Sequence, residues 1–219
     1  MSFKGQIAMD SSASSAEIRS FVDLVQRRAA EHGERPLFAL LDEQGEVTAE
    51  LSYAALDRRA RAIAARLAEA TVPGDRALLL YPFGLDFINA FFGALYAGVV
   101  AVPAYPLRSN RSSGRLAAIV QDSGPRLALT VAPALPSAKR RESFGLDGIA
   151  WLATDEVADE AADGWQPPAL AGGSLAFLQY TSGSTSLPKG VAVSHGNLLH
   201  NQEMIRAGFD QSAASVVVG

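Results

Sequence analysis

Leu175-Ala-Phe-Leu-Gln-Tyr180, then Thr181-Ser-Gly-Ser-Thr-Ser-Leu-Pro-Lys-Gly190, then Val191-Ala-Val193 is an apolar run, a connection rich in hydroxyls and glycine, and a second apolar run. The flanking runs predict strands over 175–180 and 191–193, and 196–208 reads as a helix. The connection has the composition of an anion site. Gly183 lets the backbone approach a ligand closely or take a positive φ, and successive backbone N–H groups in such a turn form an anion-binding nest. Thr181, Ser182, Ser184 and Thr185 carry hydroxyls that donate to phosphate oxygens, and Lys189 adds a compact positive charge. Hydrogen bonds to charged groups contribute about 1.5–3 kcal/mol each, so a few of them hold a triphosphate. A Ser/Thr/Gly cluster between two elements is more often only a solvated connection. The order of residues here argues for more. It is not a Walker loop, which needs G-x-x-x-x-G-K-[ST]: Gly183 is followed five residues on by Pro188, and Lys189 by Gly190.

Working outward, the preceding chain alternates strand and helix. Apolar residues Ile18, Phe21, Val22, Val25 and Ala29 recur at three and four, which predicts a helix over 16–32 ended by Gly33. Strands are expected over 37–41 and 47–51, joined by a turn at Glu43-Gln44-Gly45. Ser52 caps a helix over 53–70. A buried parallel strand at 77–81, a very apolar helix over 84–97 and a strand at 99–104 come next. A helix over 113–122, a strand at 126–131, a short helix near 133–142 and a strand at 149–153 follow. The acidic, Pro- and Gly-rich segment 155–173 reads as a surface loop. This alternation predicts an α/β fold with a mainly parallel sheet flanked by helices. Residues 1–15 are polar and Ser-rich and are expected to be a mobile lead-in; 16–219 form the folded part.

Composition excludes several classes. Of 219 residues, 48% are apolar and 19% charged, which is globular rather than disordered. The net charge of −4 comes with no basic patch or stripe, apart from a short Arg cluster at 108–115, so no nucleic-acid partner is expected. There is no cysteine, which removes disulfides, thiolate zinc sites and a Cys nucleophile. The N-terminus has no continuous apolar segment of a secretory signal. The longest apolar stretch, 87–103, is interrupted by Asn89 and by glycines, too short and mixed for a membrane span. A cytoplasmic location is expected.

From Leu178 through Lys189 the chain resembles the core signature of the adenylate-forming superfamily: acyl-CoA synthetases, luciferases, nonribosomal adenylation domains and fatty acyl-AMP ligases. The usual form of that signature is Y-T-S-G-S-T-G-x-P-K-G-V, and the departure is Ser186, where Gly is commonest. Fatty acyl-AMP ligases often carry a non-Gly residue there. The continuation Val191-Ala-Val-Ser-His195-Gly-Asn197-Leu198 also looks like the family. Two more stretches look like the fatty acyl-AMP ligase branch: Pro73-Gly-Asp-Arg-Ala-Leu-Leu-Leu-Tyr-Pro82, and Gly98-Val-Val-Ala-Val-Pro-Ala-Tyr-Pro106. So does Asn110-Arg111 leading into Arg115-Leu-Ala-Ala-Ile-Val120. In these stretches Tyr105 and Pro106 are expected to shape a turn, and Phe91, Phe92 and Tyr96 to pack a core; packing is the role expected of all five.

The resemblance implies the N-terminal portion of the large domain of an adenylate-forming enzyme. It implies attack of a fatty-acid carboxylate on the α-phosphorus of ATP, with magnesium, to give an acyl-adenylate and pyrophosphate. The acyl group would pass to an acyl carrier protein or a polyketide or nonribosomal synthase module. The Thr181–Thr185 loop and Lys189 would hold the β- and γ-phosphates, with Thr185 a candidate contact to magnesium. No catalytic residue is assigned within this chain. The family's adenine, ribose and catalytic-lysine motifs would lie beyond Gly219, so the chain is expected to be truncated and inactive alone. An acyl-CoA ligase, a nonribosomal adenylation domain and a non-catalytic folded fragment remain as alternatives. His195 and His200, five apart, would stand roughly 140° apart on a helix and cannot share a metal as an i, i+4 pair would; with His32 they are assigned structural roles.

Overall fold

The structure, a computed structural model, describes residues 2–5, 18–106, 113–181, 188–212 and 215–218. The described residues form two sheets. The smaller is antiparallel and joins β1 (Ser2–Gly5), β2 (Pro36–Leu41) and β3 (Val47–Ser52) to a short strand near the C-terminus, β10 (Val217–Val218), in the order β10-β1-β2-β3. The larger has six strands: β4 (Arg76–Leu79), β5 (Val100–Pro103), β6 (Leu127–Thr130), β7 (Ala150–Ala153), β8 (Leu175–Thr181) and β9 (Lys189–Ser194). Their order is β7-β6-β4-β5-β8-β9. All neighbours are parallel except β8 and β9, which run antiparallel.

The helices are α1 (Phe21–His32), α2 (Tyr53–Ala68), α3 (Leu85–Tyr96), α4 (Ser113–Ser123), α5 (Ala138–Ser143) and α6 (His195–Gly208). The period of two along β4 divides the core. Ala77 and Leu79 join a cluster with Leu56, Ile63 and Leu95 from α2 and α3, while Leu78 and Leu80 join Leu116 and Ile119 of α4 on the opposite face. A strand covered on both faces needs apolar residues throughout, which is why 77–80 read as a continuous run. The α2–α3 contact depends on Gly93: a Cβ there would lie 2.5 Å from Cγ2 of Ile63, so only glycine lets the helices meet at this distance.

Several expectations are corrected. The first helix begins at Phe21, because Ser20 and Asp23 close a capping box: Asp23 N–H donates to Ser20 Oγ at 3.1 Å and Ser20 N–H to Asp23 Oδ2 at 2.9 Å. Ile18 and Arg19 precede that cap and are not helical. Within the expected lead-in, Ser2–Gly5 is a strand paired with β2 and β10; residues 6–15 lie outside the described ones. The helix expected near 133–142 is two pieces, a 3₁₀ turn at Ala132–Ala134 and the short α5, because Pro136 separates them.

The segment 155–173 is not a plain surface loop. It contains 3₁₀ turns at Thr154–Glu156 and Asp159–Gly164, and it buries Val157, Ala162 and Trp165. Arg59 of α2 fastens it, donating to the carbonyls of Thr154 and Val157 and to Asp159 Oδ1 at 2.9 Å. The Trp165 indole donates to the Tyr96 carbonyl at 3.1 Å, and the Arg61 guanidinium lies 4.7 Å above its ring. No described helix is long and apolar enough to cross a membrane.

Candidate nucleotide-binding site

Because β9 reverses direction against β8, the hydroxyl-rich connection closes a hairpin. The strands stay in register to its mouth, where Tyr180 faces Gly190 and Thr181 faces Lys189. Residues directly opposite on an antiparallel pair project from the same face. Thr181 and Lys189 thus stand side by side, both exposed, while Tyr180 points into the core on the other face. Ser182, Gly183, Ser184 and Thr185 lie outside the described residues, as do Ser186 and Leu187. Of the candidate phosphate ligands, the fold thus brings together the first and the last.

A cavity of about 650 Å³ lies beside Thr181, at the carboxyl ends of β4, β5 and β8. In an open α/β sheet, ligands lodge in the crevice outside the carboxyl ends of the strands. Its walls are mainly apolar, with Phe87, Pro103, Leu116 and Ile119; Arg115 and Gln179 add polar groups. Tyr81 lines it too, and shares a 2.7 Å hydrogen bond with the Thr154 hydroxyl. Burial pushes the Tyr81 phenol well above its ordinary range, so it stays protonated. Tyr105 corrects an expectation. It does not pack; it is 78% exposed at the rim of this cavity, whereas Phe92 and Tyr96 are buried as expected. Tyr105 follows the end of β5, between Pro103 and Pro106, where no regular period runs from which its exposure could be read.

His195 starts α6 immediately after the hairpin and is fully buried. Its Nδ1 accepts from the Phe21 N–H at 3.2 Å, and its own backbone N–H donates to the Ser174 carbonyl at 2.9 Å. It ties the start of α1 to the strand leaving the loop. Burial lowers its pKa, with the nearby Asp23 carboxylate acting weakly the other way. His32 packs on the Tyr53 ring with centroids 5.0 Å apart, and His200 is exposed. Among the described residues no group of three His, Asp or Glu is arranged to hold a metal ion.

Comparison with known proteins places this fold among the adenylate-forming enzymes. A profile of the family described as AMP-binding enzyme matches residues 25–218, and the chain belongs to that family. Among curated relatives, the medium-chain-fatty-acid–[acyl-carrier-protein] ligase JamA of Moorena producens is 39% identical over 209 residues, covering 93% of this chain and 35% of JamA. The long-chain-fatty-acid–AMP ligase FadD32 of Mycolicibacterium smegmatis is 38% identical over 188 residues, covering 83% of this chain and 30% of FadD32. A fatty acyl-adenylate ligase from Legionella pneumophila, solved in complex with acyl adenylate and pyrophosphate, superposes with a TM-score of 0.74 at 39% identity, over 88% of this chain and 33% of that one. The chain thus spans about a third of the length of the relatives it matches.

Proposed function

We propose that this chain carries the phosphate-binding hairpin of a fatty acyl-AMP ligase, an enzyme joining a fatty-acid carboxylate to ATP to form an acyl-adenylate and pyrophosphate. The observation that carries this reading is the pairing of Thr181 with Lys189 across the hairpin mouth, next to a largely apolar cavity. A hydroxyl and an ammonium on one face form a donor set for phosphate oxygens. It is not a set for a bare divalent cation, which prefers carboxylate and carbonyl oxygens. Magnesium would therefore arrive on the phosphates, with Thr185 the residue we assign toward it, and would neutralise part of their charge. Thr181, Ser182, Gly183, Ser184, Thr185 and Lys189 hold and orient the β- and γ-phosphates. Preorganised donors of this kind act mainly by positioning and by stabilising charge.

The acceptor of the acyl group is proposed to be an acyl carrier protein, following the name of JamA. Fatty acid as the carboxylate follows from the relatives' names together with the apolar walls of the cavity.

The test uses two proteins: this chain alone, and this chain replacing the matching third of JamA. With ATP, magnesium and a medium-chain fatty acid, the chain alone is expected to release no pyrophosphate and the chimera to release it. Lys189→Ala is expected to slow the chimera by about tenfold or more, the scale of one lost charged phosphate contact. A folded chimera that turns over equally without fatty acid, or with Lys189→Ala, rejects this reading.

A further inference from the structure

Beneath the exposed face of the hairpin, its stem is held from the opposite side. Tyr180 lies under Gly190, its cross-strand partner. A Cβ at Gly190 would sit 2.9 Å from Tyr180 Cζ and 3.1 Å from its hydroxyl oxygen, so the absence of a side chain leaves room for the ring against β9. The phenol then reaches α4, where its O–H donates to Asp122 Oδ2 at 2.5 Å. Arg115 of the same helix donates to the Tyr180 carbonyl at 3.5 Å. Burial, reinforced by the Asp122 carboxylate, pushes the phenol up to about 12, so it remains a donor at any ordinary pH.

A phenylalanine would bury the same ring, and Asp122 is itself exposed, so neither residue needs this hydrogen bond to satisfy a buried charge. The hydroxyl therefore adds direction rather than burial. It fixes the last buried residue of β8, and the next residue along is Thr181. We propose that Tyr180 and Asp122 are positioning residues: the phenol, clamped between Gly190 and α4, sets the hairpin stem so that Thr181 and Lys189 face the nucleotide phosphates. This rests on the reading of the hairpin as a phosphate site. The clamp itself rests only on the geometry of the stem.

Two measurements separate these layers. Hydrogen exchange at the Thr181 and Lys189 amides of the 219-residue chain reads the stem, and calorimetric titration of the JamA chimera with magnesium-ATP reads the site. Tyr180→Phe and Asp122→Ala are each expected to speed exchange and to weaken ATP binding by about fivefold, the scale of one net hydrogen bond. The double variant is expected to be no worse than either single one, as for two halves of one interaction. Asp122→Asn, whose amide oxygen still accepts, is expected to stay near wild type and to show that the loss is not a folding failure. Exchange unchanged in Tyr180→Phe overturns the clamp, as does additivity of the two substitutions. ATP binding that is absent, or indifferent to Lys189→Ala, rejects the phosphate reading, and the exchange data then still decide the clamp.

Discussion

At the scale of single residues, His195 makes the clearest prediction. Its Nδ1 accepts a hydrogen bond from Phe21, so that nitrogen must be unprotonated, and burial lowers the pKa below the ordinary 6.5. In the unfolded chain the imidazole takes up a proton near 6.5, while in the folded chain it resists until lower pH. Between those two values the unfolded state binds more protons, so stability falls as pH falls. Above about 6.5 both states are neutral and the residue adds no pH dependence. The melting temperature is expected to drop as pH is lowered from about 7.5 to about 5.5, and to drop less in His195→Gln. An equal slope in both proteins would mean that His195 is not the group responsible. The structural role of this histidine was expected from the sequence, but its partner was not: Phe21 lies 174 positions away, with nothing in the spacing to join them.

At the scale of elements, the contact of α2 with α3 turns on Gly93. Gly93→Ala would place a methyl group 2.5 Å from Ile63 Cγ2 and 2.7 Å from its Cβ, and neither atom is the free end of a flexible chain. The helices must separate, and the expected loss is about 1–3 kcal/mol in denaturant unfolding, the usual range for an overfilled core. A loss below the error of the measurement would mean that the helices accommodate the methyl group. Elements of regular period were legible in the sequence for a physical reason. β4 and β6 are short apolar runs covered on both faces, and α2 opens on a serine whose Oγ accepts from the Ala55 N–H. The segment ending at Trp165 was not legible. Its 3₁₀ turns have no amphipathic period, and its acidic surface hides the buried Val157, Ala162 and Trp165. The same limit applies at the candidate site. Thr181 and Lys189 stand within one motif and can be named from it, whereas Tyr180 and Asp122 are 58 residues apart and meet only through the fold.

At the scale of the whole molecule, the sheet is shared by two clusters of buried side chains, and each has a tryptophan. Trp165 belongs to the cluster with α1, α2 and α3, while Trp151 packs against the cluster with α4. The two clusters meet through alternate residues of the same strands, so they are expected to unfold together. Trp165→Phe leaves Trp151 as the only fluorescent tryptophan, and Trp151→Phe leaves Trp165. Corrected for any change in stability measured by circular dichroism on each variant, fluorescence and dichroism midpoints in urea are expected to coincide in both, the mark of a two-state transition. Separate midpoints would show that one face of the sheet comes apart first.

The reversal of β9 has an entropic consequence. Bringing the two ends of a free segment together costs conformational entropy that grows with the logarithm of its length. Here Thr181 and Lys189 are neighbours in the sheet before any ligand arrives. The cost of bringing these two residues together has already been met by folding. A phosphate bound as proposed need not supply the free energy of drawing Thr181 and Lys189 together, and more of each contact is left to appear as affinity.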